Sequence, residues 1–293
     1  MLSIVIPVYN DPAGIDTTLR SVVGQDYPDY EVIPVDNNST DHTPNVIQDW
    51  ADRHPNRIRP AVEHEVQSSY AARNTGIQAA QGNIIVFIDA DMTAPSNWLR
   101  KVSEAFSTSE TDYLGYEVEV CVPDGEESFW GWYDAIIGLP SQYYYDQKQF
   151  VPTACLAVRR SVFGQVGLFD AAITSGGDKE FGERVHRHPD LMTEFRSDIK
   201  VFHPARTTFE AHRRKALRVG RGLARLCRNS SYTGAPILLL EILLHALPPG
   251  PRRVTRWTQD VSVHQLPALY VADFVIRYCR LYGALSAFVG DFK

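Results

Sequence analysis

Along the first ninety positions, short apolar runs alternate with stretches of helical period. Leu2-Ser-Ile-Val-Ile-Pro-Val-Tyr-Asn10 opens as a strand, and Ile15, Leu19, Val22 and Val23 then recur at helical spacing. Tyr30 to Asp36 is a second strand. Ser39-Thr-Asp41 is a helix-start signal ahead of Val46, Ile47 and Trp50. A third helix is predicted from Ser68 to about Ala80, closed by Gly82. Ile84-Ile-Val-Phe-Ile88 then puts five apolar residues in a row, the mark of a buried parallel strand. This alternation predicts a parallel sheet with helices on both faces. The G-x-G-x-x-G fingerprint is absent, which argues against a nicotinamide or flavin site.

After Asp91 the pattern changes. Ser96 starts a helix with Leu99, Val102 and Phe106 inward, and Leu114, Tyr116, Val118 and Val120 alternate as in a strand with one wet face. Residues 129–150 are rich in aromatics, among them Phe129, Trp130, Trp132 and Tyr133, whose faces suit sugar rings, lipid chains or a core. Arg214, Arg218, Arg221, Arg225 and Arg228 then stripe one side of a basic amphipathic helix. The apolar run Ile237–Leu244 is too short to span a bilayer, which takes about 20 residues. Residues 266–289 hold Asp273, Arg277 and Arg280. Each central charge costs roughly 2.5–3.5 kcal/mol on insertion, so interfacial helices, or a hairpin packed on the body, fit better.

With 293 residues, 44% hydrophobic and 22% charged, the chain has a globular composition and can bury a substantial core. The net charge of −6 hides an asymmetry: residues 203–293 carry 14 Lys/Arg against 5 Asp/Glu, and residues 1–202 carry 15 against 30. A basic C-terminal region on an acidic body suggests that this region meets something anionic; an anionic membrane surface is the expected partner, and no nucleic acid is expected. Cys121, Cys155, Cys227 and Cys279 lack metal-ligand spacing, and no basic-then-apolar leader precedes Leu2, so a reduced, cytoplasmic setting is expected.

The sharpest chemical feature is Asp89-Ala-Asp91 at the end of the 84–88 run. Open α/β sheets bind ligands at the carboxyl ends of their strands. Side chains at i and i+2 of an extended segment share a face, so both carboxylates can reach one ligand if the backbone stays extended. Hard oxygen ligands suit Mg²⁺ or Mn²⁺ completed by phosphate oxygens. Loop acids capping the next helix would look similar.

Several further segments complete a series: Ser3–Asn10, Val35-Asp-Asn-Asn-Ser-Thr-Asp41, Ala72-Arg-Asn74, Asp89-Ala-Asp91, Thr153–Phe163, Val166-Gly-Leu-Phe-Asp170 and Gly176-Gly-Asp-Lys-Glu-Phe-Gly-Glu-Arg184. Together, over about residues 1–215, they resemble the family 2 glycosyltransferases of the GT-A fold. The resemblance implies an α/β fold of GT-A type: a mostly parallel, Rossmann-like sheet flanked by helices, with a C-terminal helical extension. It also implies a nucleotide-sugar donor, a divalent cation (Mn²⁺ or Mg²⁺) and inversion at the anomeric carbon.

Carried over residue by residue, it assigns Asp36 to the nucleotide base, with Pro7, Tyr9 and Asn10 lining the same pocket. An acceptor-only carboxylate needs a base that presents an N–H, so uridine is expected and guanosine is the alternative. Arg73 would meet the diphosphate, Asp91 the metal, and Asp89 the ribose or a second layer around the ion. His203 in Val-Phe-His-Pro resembles the histidine that completes the metal shell. Asp178 matches the general base, with Glu180 the close alternative; relatives commonly have Glu-Asp where this chain has Gly177-Asp178. Glu180, Arg184, Trp130 and Trp132 are candidates for the acceptor side.

The expected organisation is a nucleotide-sugar-binding half over residues 1–115, an acceptor and catalytic-base half over 116–212, and helices over 213–293 that associate with membrane. The function expected is an inverting, metal-dependent glycosyltransferase of hexosyltransferase type. Its acceptor would be a lipid-linked or cell-envelope glycan, and the enzyme would sit peripherally on an anionic inner membrane face. Two other readings are a metal-dependent sugar nucleotidyltransferase and a non-catalytic nucleotide-sugar-binding protein. The first is opposed by Pro7–Gly14, which has one glycine and no basic residue, the second by the joint presence of Asp36, Asp89, Asp91 and Asp178.

Overall fold

The computed structural model describes residues 1–228, 232, 234–257 and 261–290. The chain divides into two compact units: Met1–Glu119 with Leu139–His203, and Val120–Gly138 with Pro204–Lys293. These boundaries differ from the three-part expectation. The aromatic segment 120–138 belongs with the C-terminal helices, because its Tyr133 sits in one apolar cluster with Ala216, Leu269 and Ile276.

The first unit is built on a seven-stranded sheet in the order β3-β2-β1-β4-β6-β5-β7. Its strands are β1 (Leu2–Val8), β2 (Tyr30–Asp36), β3 (Ala61–Val62), β4 (Ile84–Phe87), β5 (Tyr113–Cys121), β6 (Leu156–Arg159) and β7 (Thr193–Pro204). β1 pairs in parallel with β2 and β4, and β2 with β3; β6 is antiparallel to both β4 and β5. β1 to β5 therefore point the same way. β1 and β2 are buried at every position, as expected of strands covered on both faces. Pro7, with no N–H to donate, lies beyond Val5, the last residue of β1 paired with β4.

Helices α1 (Pro12–Val23), α2 (Thr43–Arg53), α3 (Ser69–Ala79) and α4 (Trp98–Thr108) connect or flank these strands. Asp11 caps α1 by accepting from Gly14 N at 2.9 Å, and Pro12 opens the helix where its missing N–H costs nothing. α3 lies close on the sheet: a Cβ at Gly76 would stand 2.4 Å from Val5 Cγ1, so only glycine permits this approach. α5 (Phe129–Ile137) belongs to the second unit, whereas α6 (Ser141–Lys148), α7 (Arg160–Val166) and α8 (Gly177–Arg187) belong to the first.

The second unit also contains α9 (Phe209–Arg228), α10 (Ala235–Leu243), α11 (Pro251–Trp257) and α12 (Leu266–Gly290). α9 presents Ala216 and Ala224 to α12, where Ala272, Ile276, Leu281 and Ala284 meet them. Arg214, Arg218, Arg221, Arg225 and Arg228 are exposed, so the stripe read from the sequence lies on the wet side of α9. No helix among the described residues is long and apolar enough to cross a membrane.

Candidate active site

Strand order places the site. β2 and β3 lie on one side of β1 and β4 on the other, so the connection reverses between β1 and β4. Residues at the carboxyl ends of β1, β2 and β4 thus share one edge of the sheet, where such folds bind ligands.

At the end of β2, Asp36 is only 6% exposed. Its register partner on β1 is Val8. Its oxygens accept from Ser39 N at 3.2 and 3.4 Å, a weak turn contact that leaves acceptor capacity. Asn10 braces the same turn. Its Oδ1 accepts from Thr40 N at 2.8 Å and its N donates to Ser39 Oγ at 2.9 Å. Asn10 and Asn38 both adopt positive φ, 49° and 63°, which asparagine tolerates better than most residues. Tyr9 stands exposed beside them.

The two aspartates after β4 have different partners. The strand ends at Phe87, and residues 89–92 turn, with Met92 N donating to Asp89 O at 3.3 Å. The i, i+2 argument needed extended backbone, and the turn removes it. Asp89 meets Arg73, whose Nη2 donates to Asp89 Oδ1 at 2.7 Å. Asp91 meets His203, with 3.8 Å between Oδ2 and Nε2. The bridge between Thr93 and Phe202 holds those two segments side by side, with backbone hydrogen bonds of 2.9 and 2.8 Å.

Arg73 and Asp178 carry opposite charges in one buried polar cluster. Arg73 is 5% exposed, and its Nε is buried with no hydrogen-bond partner, an unmet donor on a permanent cation. Asp178 Oδ1 accepts from Lys179 N at 3.0 Å and from Tyr70 Oη at 3.3 Å. Burial pushes the Asp178 carboxyl above its usual range, and Arg73, the Lys179 N–H and the Tyr70 hydroxyl offset part of that rise. Burial and the Asp178 charge in turn push the Tyr70 phenol up, so it stays a proton donor.

Local sequence explains how Asp178 comes to rest there. Gly176 caps α8 at φ 95°, the left-handed region that favours glycine. A Cβ on Gly177 would lie 2.8 Å from the Tyr70 ring, so a side chain here would force the ring to shift. α3 reaches the same loop: Ser68 Oγ donates to Ile173 O at 3.0 Å, and Asn74 exchanges two hydrogen bonds with the Phe169 backbone at 2.8 and 3.1 Å. The sequence motif Ala72-Arg-Asn74 includes Asn74 but not Tyr70. Tyr70 could have been picked out, since it lies three positions before Arg73 on the same helix face.

Glu180 is placed differently from Asp178. It forms a bidentate pair with Arg184 at 2.6 and 2.9 Å, and Arg184 also donates to Val166 O and, at 2.8 Å, to Leu168 O. That pair pins the 166–168 turn to α8. Trp130 packs on Tyr133, Phe209 and His212 at 5.1–5.5 Å within the second unit, whereas Trp132 lines an open groove there. No three His, Cys, Asp or Glu side chains converge as a full metal cage among the described residues. Asp91 and His203 offer one carboxylate and one imidazole, a partial donor set that Mn²⁺ accepts.

Residues 3–167 match the description of glycosyl transferase family 2. The chain belongs to that family. It is 31% identical over 282 residues, 95% of this chain and 91% of the relative, to glycosyltransferase AglE of Haloferax volcanii. It is 34% identical over 171 residues, 57% of this chain and 66% of the relative, to the putative teichuronic acid biosynthesis glycosyltransferase TuaG of Bacillus subtilis. Among solved structures it resembles mannosyltransferase PcManGT from Pyrobaculum calidifontis in complex with GDP-Man and Mn²⁺. There the TM-score is 0.64 at 20% identity, over 99% of this chain and 87% of the other. S. aureus TarS 1-349 in complex with UDP-GlcNAc gives 0.55 at 17% identity, over 99% and 92%. The protein is a glycosyltransferase with the α/β architecture of GT-A enzymes.

Proposed function

We propose that this glycosyltransferase moves a sugar, with inversion, from a nucleoside-diphosphate donor to a hydroxyl of a lipid-linked or cell-envelope glycan. The observation that carries the reading is a largely buried cluster at the ligand-binding edge of the sheet, in which Arg73 pairs with Asp89, Tyr70 donates to Asp178, and the Arg73 charge acts on Asp178 through space. Asp178 takes the proton of the acceptor hydroxyl as its oxygen attacks the anomeric carbon. A carboxyl pushed up by burial is a stronger base than an exposed one, which suits that role near neutral pH. Arg73, a permanent cation held by Asp89 at this edge, binds the donor diphosphate.

Asp36 accepts an N–H of the base, with Pro7, Tyr9 and Asn10 around it. Uridine is the base favoured and guanosine the alternative; both nucleotides occur in the structures this chain resembles. Asp91 and His203 would hold Mn²⁺ or Mg²⁺, which when bound stabilises negative charge developing on the leaving diphosphate. Asp89 is engaged with Arg73 and orients it, so a contact to the ribose is secondary to that pairing. The exposed arginines of α9 and the exposed Ile237, Leu240 and Leu244 near α10 support peripheral attachment to an anionic membrane.

The test is a donor screen that measures nucleoside diphosphate release from UDP-, GDP- and dTDP-sugars with Mn²⁺ or Mg²⁺. Release from UDP-sugars is expected, and tighter calorimetric binding of ADP than of both UDP and GDP would refute the base assignment. Flotation with phosphatidylglycerol vesicles tests attachment. Failure to float at low salt would remove the membrane from the reading.

A further inference from the structure

Two open grooves lie side by side in the second unit, and they differ in chemistry. The first, of about 570 Å³, is lined by Phe129, Trp132, Glu127, His264 and Gln265. This is an aromatic face ringed by hydrogen-bonding groups, the combination that suits a sugar: ring C–H groups stack on the aromatic and hydroxyls meet the polar atoms. Gln265 spends its Oε1 on Ser262, at 2.9 and 3.1 Å, and keeps its Nε2 hydrogens for another acceptor.

The second groove, of about 480 Å³, is lined by Phe129, Trp130, Pro267, Ala268, Val271 and Val275, with no charged group among them. Phe129 and Ala268 belong to both linings, so the two grooves adjoin. Val271 is 60% exposed and Val275 38%, and along the same side of α12 Tyr278, Tyr282 and Leu285 are exposed in turn. The steps are 4, 3, 4 and 3, which makes a straight apolar strip leading away from Phe129.

We infer that the second unit binds one amphiphilic acceptor, its sugar in the groove beside Trp132 and its hydrocarbon chain along Val271 and Val275. The inference rests on the reading of the protein as a transferase acting on lipid-linked glycans, and specifies where the lipid lies. A polar-aromatic groove adjoining a wholly apolar one fits a molecule that is a sugar at one end and a hydrocarbon at the other. Neither a free sugar nor a bare chain would fill both.

The probe is n-octyl β-D-glucoside below its critical micelle concentration, with D-glucose and 1-octanol as half-ligands. Binding is followed by calorimetry and by tryptophan fluorescence, since Trp130 and Trp132 line the grooves. Saturable binding of the glucoside at least about tenfold tighter than either half-ligand is expected. Val271→Asp should weaken the glucoside and octanol but not glucose, and Trp132→Ala should weaken the glucoside and glucose. Val271 is exposed, so its variant should fold, and an unchanged melting temperature checks this. Glucoside affinity equal to that of octanol and glucose, or unmoved by both substitutions, overturns the inference. So does adsorption to phosphatidylglycerol vesicles, or self-association in sedimentation, that Val271→Asp abolishes while no saturable glucoside binding exists. UDP and GDP binding with Mn²⁺ is measured on the same samples: its loss alone refutes the donor reading and leaves this inference standing, and the reverse result does the opposite.

Discussion

Replacing Tyr70 by phenylalanine tests the assigned base through a residue that does not touch the reacting atoms. The Tyr70 hydroxyl donates to Asp178 Oδ1 at 3.3 Å. Charge-assisted O–H···O⁻ bonds are commonly 2.5–2.7 Å, so this one belongs at the weak end of its class, about 1.4 kcal/mol. That corresponds to about one pKa unit. The bond favours the ionised carboxylate, so its loss should raise the Asp178 pKa further above its ordinary value. Tyr70→Phe keeps the ring packed on Phe169 at 5.8 Å and against Gly177, and the Lys179 N–H still holds the carboxylate. The acid limb of kcat/KM should therefore move up by about one unit. Well above that limb the rate should be nearly unchanged; one unit below it, about tenfold lower. The assay is diphosphate release against pH. An equal loss at every pH, or a limb that moves down, would refute the reasoning.

Asp178→Asn should keep donor binding and lose transfer by roughly 10²–10⁴-fold, while Glu180→Gln, which weakens the ion pair that orients Arg184 onto the 166–168 turn, should cost thermal stability more than rate; an inactive Glu180→Gln beside an active Asp178→Asn reverses the assignment. Asp91→Asn should lower kcat/KM by about 10²-fold or more and chelation should abolish activity, so full activity of Asp91→Asn in excess chelator would exclude the metal role. Gly177→Ala forces a Cβ into the Tyr70 ring and should cost about 1–3 kcal/mol in denaturant unfolding, despite alanine's better helix propensity. Burial, with Arg206 next, pushes the Lys215 ammonium in the second unit down to about 7 from 10.5. The unfolded chain then binds more protons than the folded one between those values, so stability should rise with pH across that window. Lys215→Met should flatten the rise in a melting-temperature series, and an unchanged slope would show that Lys215 is not its source.

The alternation of apolar runs and helical periods determined the sheet-and-helix layering, because β1, β2 and β4 are buried strands whose composition alone demands cover on both faces. The motif series determined the family, since its residues cluster at strand ends and helix starts whose local chemistry is legible one segment at a time. Tertiary structure decided which groups meet. Asp89 and Asp91, two positions apart, take different partners, Arg73 and His203, on either side of a turn over residues 89–92, and those partners come from other segments of the chain. Asp178 became separable from Glu180 only when Arg184 was seen to hold the latter, and Gly177 acquired its reason only when Tyr70 was found against it. The division into units escaped the sequence for the same cause. Residues 120–138 are apolar enough for either core, and the cluster around Tyr133, Ala216 and Leu269, formed across more than a hundred residues, is what assigns them.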